Sequence, residues 1–269
     1  VIDFLDVSFG YRAADPVVCG VSLTVQSGCV TAVIGPNGSG KSTVLKLMLG
    51  LLSPQQGAVT WVAEDGDSVG NVDASLEPER AQRLAYVPQH GSVAFGFSVA
   101  EVVKMASAPS TGAAVVDRLE SVLEQFDLQT VRDRPFENLS GGQQQRVVLA
   151  RAMLQRLSRC GQSVTKQAKR IQGGLVLDEP VSAMDLKHAH RSMQALRERA
   201  AAGEAVVVVL HDLTLTARYA DRVWLMDEGR LVADGSVGEV MRPEVLEPVY
   251  EVRLDVMTDS AGRRVFGVV

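Results

Sequence analysis

Apolar and polar positions roughly alternate from Val1 to Tyr11, which predicts a half-buried strand of the kind that lies at a sheet edge. Val17 to Val25 predicts a second strand, and Ser27-Gly28 a turn after it. Val30 to Ile34 is apolar without interruption and predicts a buried strand; Thr43 to Leu49 predicts a helix closed by Gly50. Residues 53–82 are polar and carry Pro54, Gly57, Gly66 and Gly70, so only Ala58 to Ala63 is expected to be extended, in a hairpin among loops. Leu84 to Val87 predicts a short strand ending at Pro88-Gln89. The pattern then changes period. Ser98-Val99-Ala100-Glu101 is a capping box, and Val115, Leu119, Val122, Leu123 and Phe126 recur at helical steps. Ser140 and Gln143 form a second capping box ahead of an apolar helix, Val147 to Leu154. Strand character returns at Gly174 to Asp178, stopped by Pro180. After it come a helix over 186–201, a strand from Ala205 to Leu210, a hairpin of Val223–Met226 with Arg230–Ala233, a short helix capped at Ser236, and a last ribbon of Val252–Met257 with Val265–Val269. Strand-rich ends around a helical middle, from about residue 90, predict an α/β chain with an inserted helical subdomain. No segment repeats.

Composition narrows the function classes. The chain has 269 residues, 46% of them apolar, enough for one large or two small domains. Its net charge is −5, which argues against nucleic acid held by bulk charge. Cys19, Cys29 and Cys160 form an odd, sparse set, expected of a reduced interior and not of a disulfide scaffold or zinc site. The longest aliphatic run, Ala205 to Leu210, is far short of the ~20 residues that span a bilayer, and no signal peptide is expected, so a membrane role would pass through a partner. Residues 155–173 carry Arg156, Arg159, Lys166, Lys169 and Arg170 and no acidic residue, which reads as a solvated basic extension.

The chemistry concentrates at residues 35–43, Gly35-Pro36-Asn37-Gly38-Ser39-Gly40-Lys41-Ser42-Thr43. This spacing, between a predicted strand and a predicted helix, is that of a phosphate-binding loop. Glycines let the backbone turn tightly and offer bare N–H groups to phosphate oxygens, and the helix start adds its positive dipole end. Lys41 can reach the β- and γ-phosphates and the Ser42 hydroxyl can ligate Mg²⁺. Leu139-Ser140-Gly141-Gly142-Gln143 makes a second anion-grade helix start, without a lysine. Asp178 and Glu179 follow a buried strand, where carboxylates are costly unless paired or metal-bound. Neighbouring strand side chains point oppositely, so Asp178 is expected to serve a metal and Glu179 a water beside the γ-phosphate. His211 ends another expected parallel strand, where such sheets bind ligands. Tyr11 offers an aromatic face to a base, and the Gln89 amide can touch both Mg²⁺ and an attacking water.

In this order, Tyr11, the loop at 35–43, Gln89, the motif at 139–143, Leu175–Glu179, Ser182-Ala183-Met184-Asp185 and His211 resemble the ATP-binding-cassette ATPases over nearly the whole chain. The resemblance implies a P-loop NTPase core (residues 1–89 and 174–269) with a mostly parallel sheet, an N-terminal antiparallel β subdomain and a helical subdomain at about 90–173. It implies ATP hydrolysis with Mg²⁺ held by Ser42, Gln89 and Asp178. Tyr11 would stack on adenine, Glu179 would be the catalytic base and His211 the γ-phosphate switch, and Lys41 would be catalytic through the β- and γ-phosphates it reaches. Two copies would pair head to tail, with Leu139, Ser140, Gly141, Gly142 and Gln143 reaching the other copy's nucleotide and Ser182 to Asp185 forming the dimer loop. Val181 and Met184 depart from the family's usual residues and are expected near that dimer contact. The insertion, the Asp185–His190 and Val209–Asp221 stretches and the tail from Pro243 to Val252 look most like the ATPases of haem importers. That kinship implies a peripheral subunit on the cytoplasmic face of the inner membrane, beneath a permease and served indirectly by a periplasmic or surface substrate-binding protein. Ferric siderophore or cobalamin import is the near alternative; a soluble assembly-scaffold ATPase without a permease is the distant one.

Overall fold

The structure is a computed structural model that describes residues 2–12, 15–62, 68–71, 84–89, 96–106, 113–159, 173–260 and 262–269. The expected α/β architecture is present. Strands β1 (Ile2–Arg12), β2 (Asp15–Val25), β4 (Gln56–Val62) and β5 (Ser68–Asn71) form an antiparallel sheet in the order β2-β1-β4-β5. β1 therefore lies inside this sheet and not at its edge. Its alternating pattern reports only that one face is buried, which is as true of an interior antiparallel strand as of an outer one.

The second sheet is built from β3 (Val30–Ile34), β6 (Leu84–Val87), β7 (Gly174–Asp178), β8 (Ala205–Val209), β9 (Arg222–Asp227) and β10 (Arg230–Ser236). Its order is β10-β9-β3-β8-β7-β6, parallel throughout except for the β9–β10 hairpin. Such a sheet buries both faces, and the period of two divides its side chains between two cores. Val206 and Val208 join one core with Ala32, Ile34, Leu175 and Leu177. Val207 and Val209 join the other with Val33, Val176, Trp224 and Met226. The second core is closed by helix α1 (Lys41–Met48) and by Phe4, Val21 and Leu23 of the antiparallel sheet.

The first core is roofed by helices α2 (Val99–Lys104), α3 (Ala113–Gln125) and α4 (Gly141–Arg159). Val102, Val103, Leu119, Val122, Leu123 and Leu149 are all buried there. The capping boxes at Ser98 and Ser140 are both formed. Helices α5 (Leu186–Ala201) and α6 (Leu213–Tyr219) follow β7 and β8, and α7 (Val237–Val240) and α8 (Pro243–Tyr250) lead to the ribbon β11 (Leu254–Thr258) and β12 (Arg264–Val268). Neither α6 nor α8 was foreseen.

The basic extension is corrected at its start. Residues 155–159 continue α4, and Arg156 is buried against Glu204, 3.1 Å away, with Arg199 on the same carboxylate. A charge is tolerated there because it is paired. Residues 160–172, including Cys160, Lys166, Lys169 and Arg170, lie outside the described residues.

Candidate functional site

β3, β6, β7 and β8 all run the same way, so the loops that follow them meet at one edge of the sheet. That edge is where α/β sheets hold ligands. It gathers the 35–40 loop, Gln89, Glu179 and His211.

The loop itself is shaped by close approach. Gly35 has φ 142°, and a Cβ there would lie 2.0 Å from the Met226 carbonyl oxygen, so no other residue fits. Helix α1 starts at Lys41, two residues earlier than the apolar pattern predicts, placing Lys41, Ser42 and Thr43 in its first turn. The Lys41 ammonium donates to the carbonyls of Gly35 (2.8 Å) and Pro36 (2.7 Å). Burial pushes it below the ordinary lysine range, and the carboxylates of Glu179 and Asp178 oppose that shift. The charge thus sits among the loop's own carbonyls. The Tyr11 hydroxyl lies 3.5 Å from Thr43 Oγ1, and its ring, 57% exposed, stands edge-on to Phe9. An aromatic face is therefore open to solvent beside the loop.

Asp178 and Glu179 diverge as a broken strand end requires. Asp178 is buried. Burial pushes its carboxyl above the usual range, and its Oδ1 has no partner among the described residues. Ser39 Oγ is buried and unpartnered in the same sense. Hydroxyl, carboxylate and the Gln89 amide oxygen are hard oxygen donors, the set that suits Mg²⁺. Glu179 adopts a left-handed backbone, φ 51°, which turns its side chain out of the sheet. Its Oε1 accepts from Gln89 Nε2 at 2.9 Å and lies 2.6 Å from His211 Nε2. The three residues proposed from three separate strands are in direct contact. A left-handed non-glycine residue carries strain of order 1–3 kcal/mol, the kind of cost found at functional sites.

The motif at 139–143 lies elsewhere on the chain. Ser140, Gly141, Gly142 and Gln143 face Ala183, Met184 and Asp185 across an open pocket of ≈ 460 Å³ that includes no residue of the 35–43 loop. Ser140 N–H donates to Gln143 Oε1 (3.0 Å) and Gln143 N–H to Ser140 Oγ (3.3 Å). Gly142 is there for closeness: a Cβ would lie 2.6 Å from the Ala183 carbonyl oxygen. Asp185 caps α5, accepting from His188 N–H at 2.9 Å. Val181 is 8% exposed and packs into the core within the chain itself. After the backbone reverses at Glu179, an apolar Val181 points inward.

Two contributors went unread in the sequence. Gln145 reaches from α4 to Glu179, Ser182 and Ala183. Asp127, itself left-handed at φ 51°, collects Lys187, His188 and Arg191 from α5 while its carbonyl accepts from Arg146 of α4. Neither carries a motif of its own; only the third of three consecutive glutamines, two residues beyond the capping box, is a visible signal.

Comparison with known proteins agrees with this layout. Residues 18–158 match the family described as ABC transporter. A hemin import ATP-binding protein of Bradyrhizobium diazoefficiens is 39% identical over 87% of this chain and 82% of its own. Its counterpart in Streptomyces coelicolor is 40% identical over 90% and 80%. Among solved structures, the ATP-binding subunit of an ABC transporter superposes with a TM-score of 0.76 at 24% identity, covering 93% of this chain and 98% of that one. A bacterial ABC transporter cassette solved as a dimer gives 0.69 at 25%, covering 88% and 99%. This chain belongs to the ABC transporter family, as one of its ATP-binding cassettes.

Proposed function

We propose that this cassette drives an importer whose cargo is haem. The chain hydrolyses ATP to ADP and phosphate, coupled to transport. The observation that carries the cargo is the kinship: relatives 36 to 40% identical over 87 to 92% of this chain are hemin import ATP-binding proteins. The working unit is then one cassette, with residues 1–89 and 174–269 as its nucleotide-binding core and about 90–173 as its helical part. It sits on the cytoplasmic face of the membrane, beneath permease subunits. No helix among the described residues is long and apolar enough to cross a bilayer.

In this reading Tyr11 stacks on adenine and the N–H groups of residues 35–43 hold the phosphates. Lys41 exchanges the loop carbonyls for phosphate oxygens, since both are acceptors for the same ammonium. Ser42, Asp178 and Gln89 would hold Mg²⁺, which supplies positive charge against the β- and γ-phosphate oxygens when bound. Glu179 takes the proton of the attacking water, and His211, now against Glu179, turns its Nε2 toward the γ-phosphate. Ser140 and its glycines approach the same phosphate from a second copy, adding donors where charge grows in the transition state.

Co-purification of the chain with its permease, followed by ATPase assays with haem, a ferric siderophore or cobalamin presented on a binding protein, tests the cargo. Haem alone should raise turnover. Stimulation by either of the others and not by haem overturns the assignment while leaving the ATPase intact.

A further inference from the structure

The base proposed above is held by more than its own strand. Glu179 leaves β7 in the left-handed region at φ 51°, a conformation that its surroundings must enforce. Its carbonyl oxygen accepts from Gln145 Nε2 at 3.2 Å and from Ser182 Oγ at 3.2 Å. The same Gln145 amide nitrogen donates to Ser182 Oγ at 2.9 Å, and its Oε1 accepts from Ala183 N–H at 2.9 Å. A glutamine amide has two N–H groups and one strong acceptor. Here all are used, on three residues 34 to 38 positions away. The side chain is half-buried, which strengthens such bonds and makes their loss costly.

Gln145 stands on α4, five residues beyond Ser140. The helix that presents the Ser140 cap is therefore pinned to the turn that aims Glu179. Gly142 on the same helix approaches Ala183 closely, giving the junction a second, steric contact.

We propose that Gln145 is a positioning residue for hydrolysis: it locks the Glu179–Ala183 turn to the signature helix, so that the base is aimed only when that helix is in place. This rests on Glu179 being the base. Gln145 acts through the Glu179 backbone. Its removal lowers kcat and spares ATP binding.

The test uses the purified full chain and Gln145→Glu, which keeps length and shape but removes both N–H donors. Outer-shell partners of a catalytic group are worth about 10–100-fold, and a fall of that size in kcat is expected, with the KM for ATP within about twofold of the parent. Gln144→Ala serves as the control. It removes a neighbouring amide that donates to the Phe136 carbonyl at 3.2 Å and reaches neither Glu179 nor the 182–183 turn; its kcat should hold. In a Glu179→Gln background the Gln145→Glu change should add almost nothing, since residues acting as a unit are not additive. Parental kcat in Gln145→Glu overturns the proposal, as does an equal loss in Gln144→Ala, which marks general helix damage. Full hydrolysis by Glu179→Gln alone removes the base itself, a failure of the underlying reading that is visible without any Gln145 variant.

Discussion

At the residue scale, Asp127 separates charge from shape. It holds a left-handed backbone, φ 51°, and Asn tolerates that region as well as Asp does. Its carboxylate faces Lys187 (3.3 Å), His188 (3.3 Å) and Arg191 (2.5 Å), and the hydrogen bond from Arg191 holds it below the usual aspartate range, with burial opposing. A depressed carboxyl stabilises the folded chain above its ordinary value, near pH 4, and that stability is lost as pH falls through the depressed value. Asp127→Asn should therefore lower Tm at pH 7. The carboxylate is about a third exposed, so solvent limits the loss to ~1 kcal/mol or less, or about 2–4 °C at most for a chain of this size. The gap between the two proteins should close as pH falls below about 4. Melting curves at both pH values check this, and a gap that widens in acid contradicts the pairing.

At the element scale, the contact between α4 and the turn after Glu179 depends on a missing side chain. A Cβ at Gly142 would lie 2.6 Å from the Ala183 carbonyl oxygen, which is backbone and cannot rotate away. Gly142→Ala must push the helix start off the turn by several tenths of an ångström. Loss of one donor at a transition state typically costs ~10²–10³ in rate. We expect a fall of that order in hydrolysis with ATP affinity nearly unchanged, because the 35–43 loop is untouched. Equilibrium binding of a fluorescent ATP analogue beside a phosphate-release assay separates the two, and parental turnover would show the contact to be idle. Most elements were legible because their signals are local. β3 and β6 are bounded by their apolar runs, α5 matches 186–201, and the capping boxes at Ser98 and Ser140 form as written. Gln89, Glu179 and His211 were each legible as strand-end residues, whereas their mutual contact emerges only from the order of the parallel strands. What stayed hidden is long-range. Nothing near β1 says that β4 pairs on its far side, nothing near Arg156 announces Glu204, and Gln145 reads as a polar helix residue until the 182–183 turn arrives beside it.

At the scale of the whole molecule, one copy presents two different phosphate-grade surfaces that do not meet. The glycine loop lies beside Glu179, whereas the capped start of α4 opens on a pocket walled by Ala183, Met184 and Asp185. A helix start attracts an anion, yet the lysine-bearing 35–43 loop contributes nothing to the lining of its pocket. In the head-to-tail pairing proposed above, an isologous contact would set each copy's cap against the other's loop and complete two sites at once. Glu179→Gln tests it directly. The amide keeps the shape of the Gln89 and His211 contacts but cannot take a proton from water, so bound ATP should persist and hold the pair closed. Light scattering should give twice the monomer mass with ATP and Mg²⁺ and the monomer mass with ADP, while turnover falls by at least ~10². Adding Ser140→Ala should release the pair and leave each loop still able to bind ATP, since the loop is complete within one copy. A Glu179→Gln chain that stays monomeric in saturating ATP, or a pair that forms equally well without the Ser140 hydroxyl, would place the second surface outside the catalytic cycle.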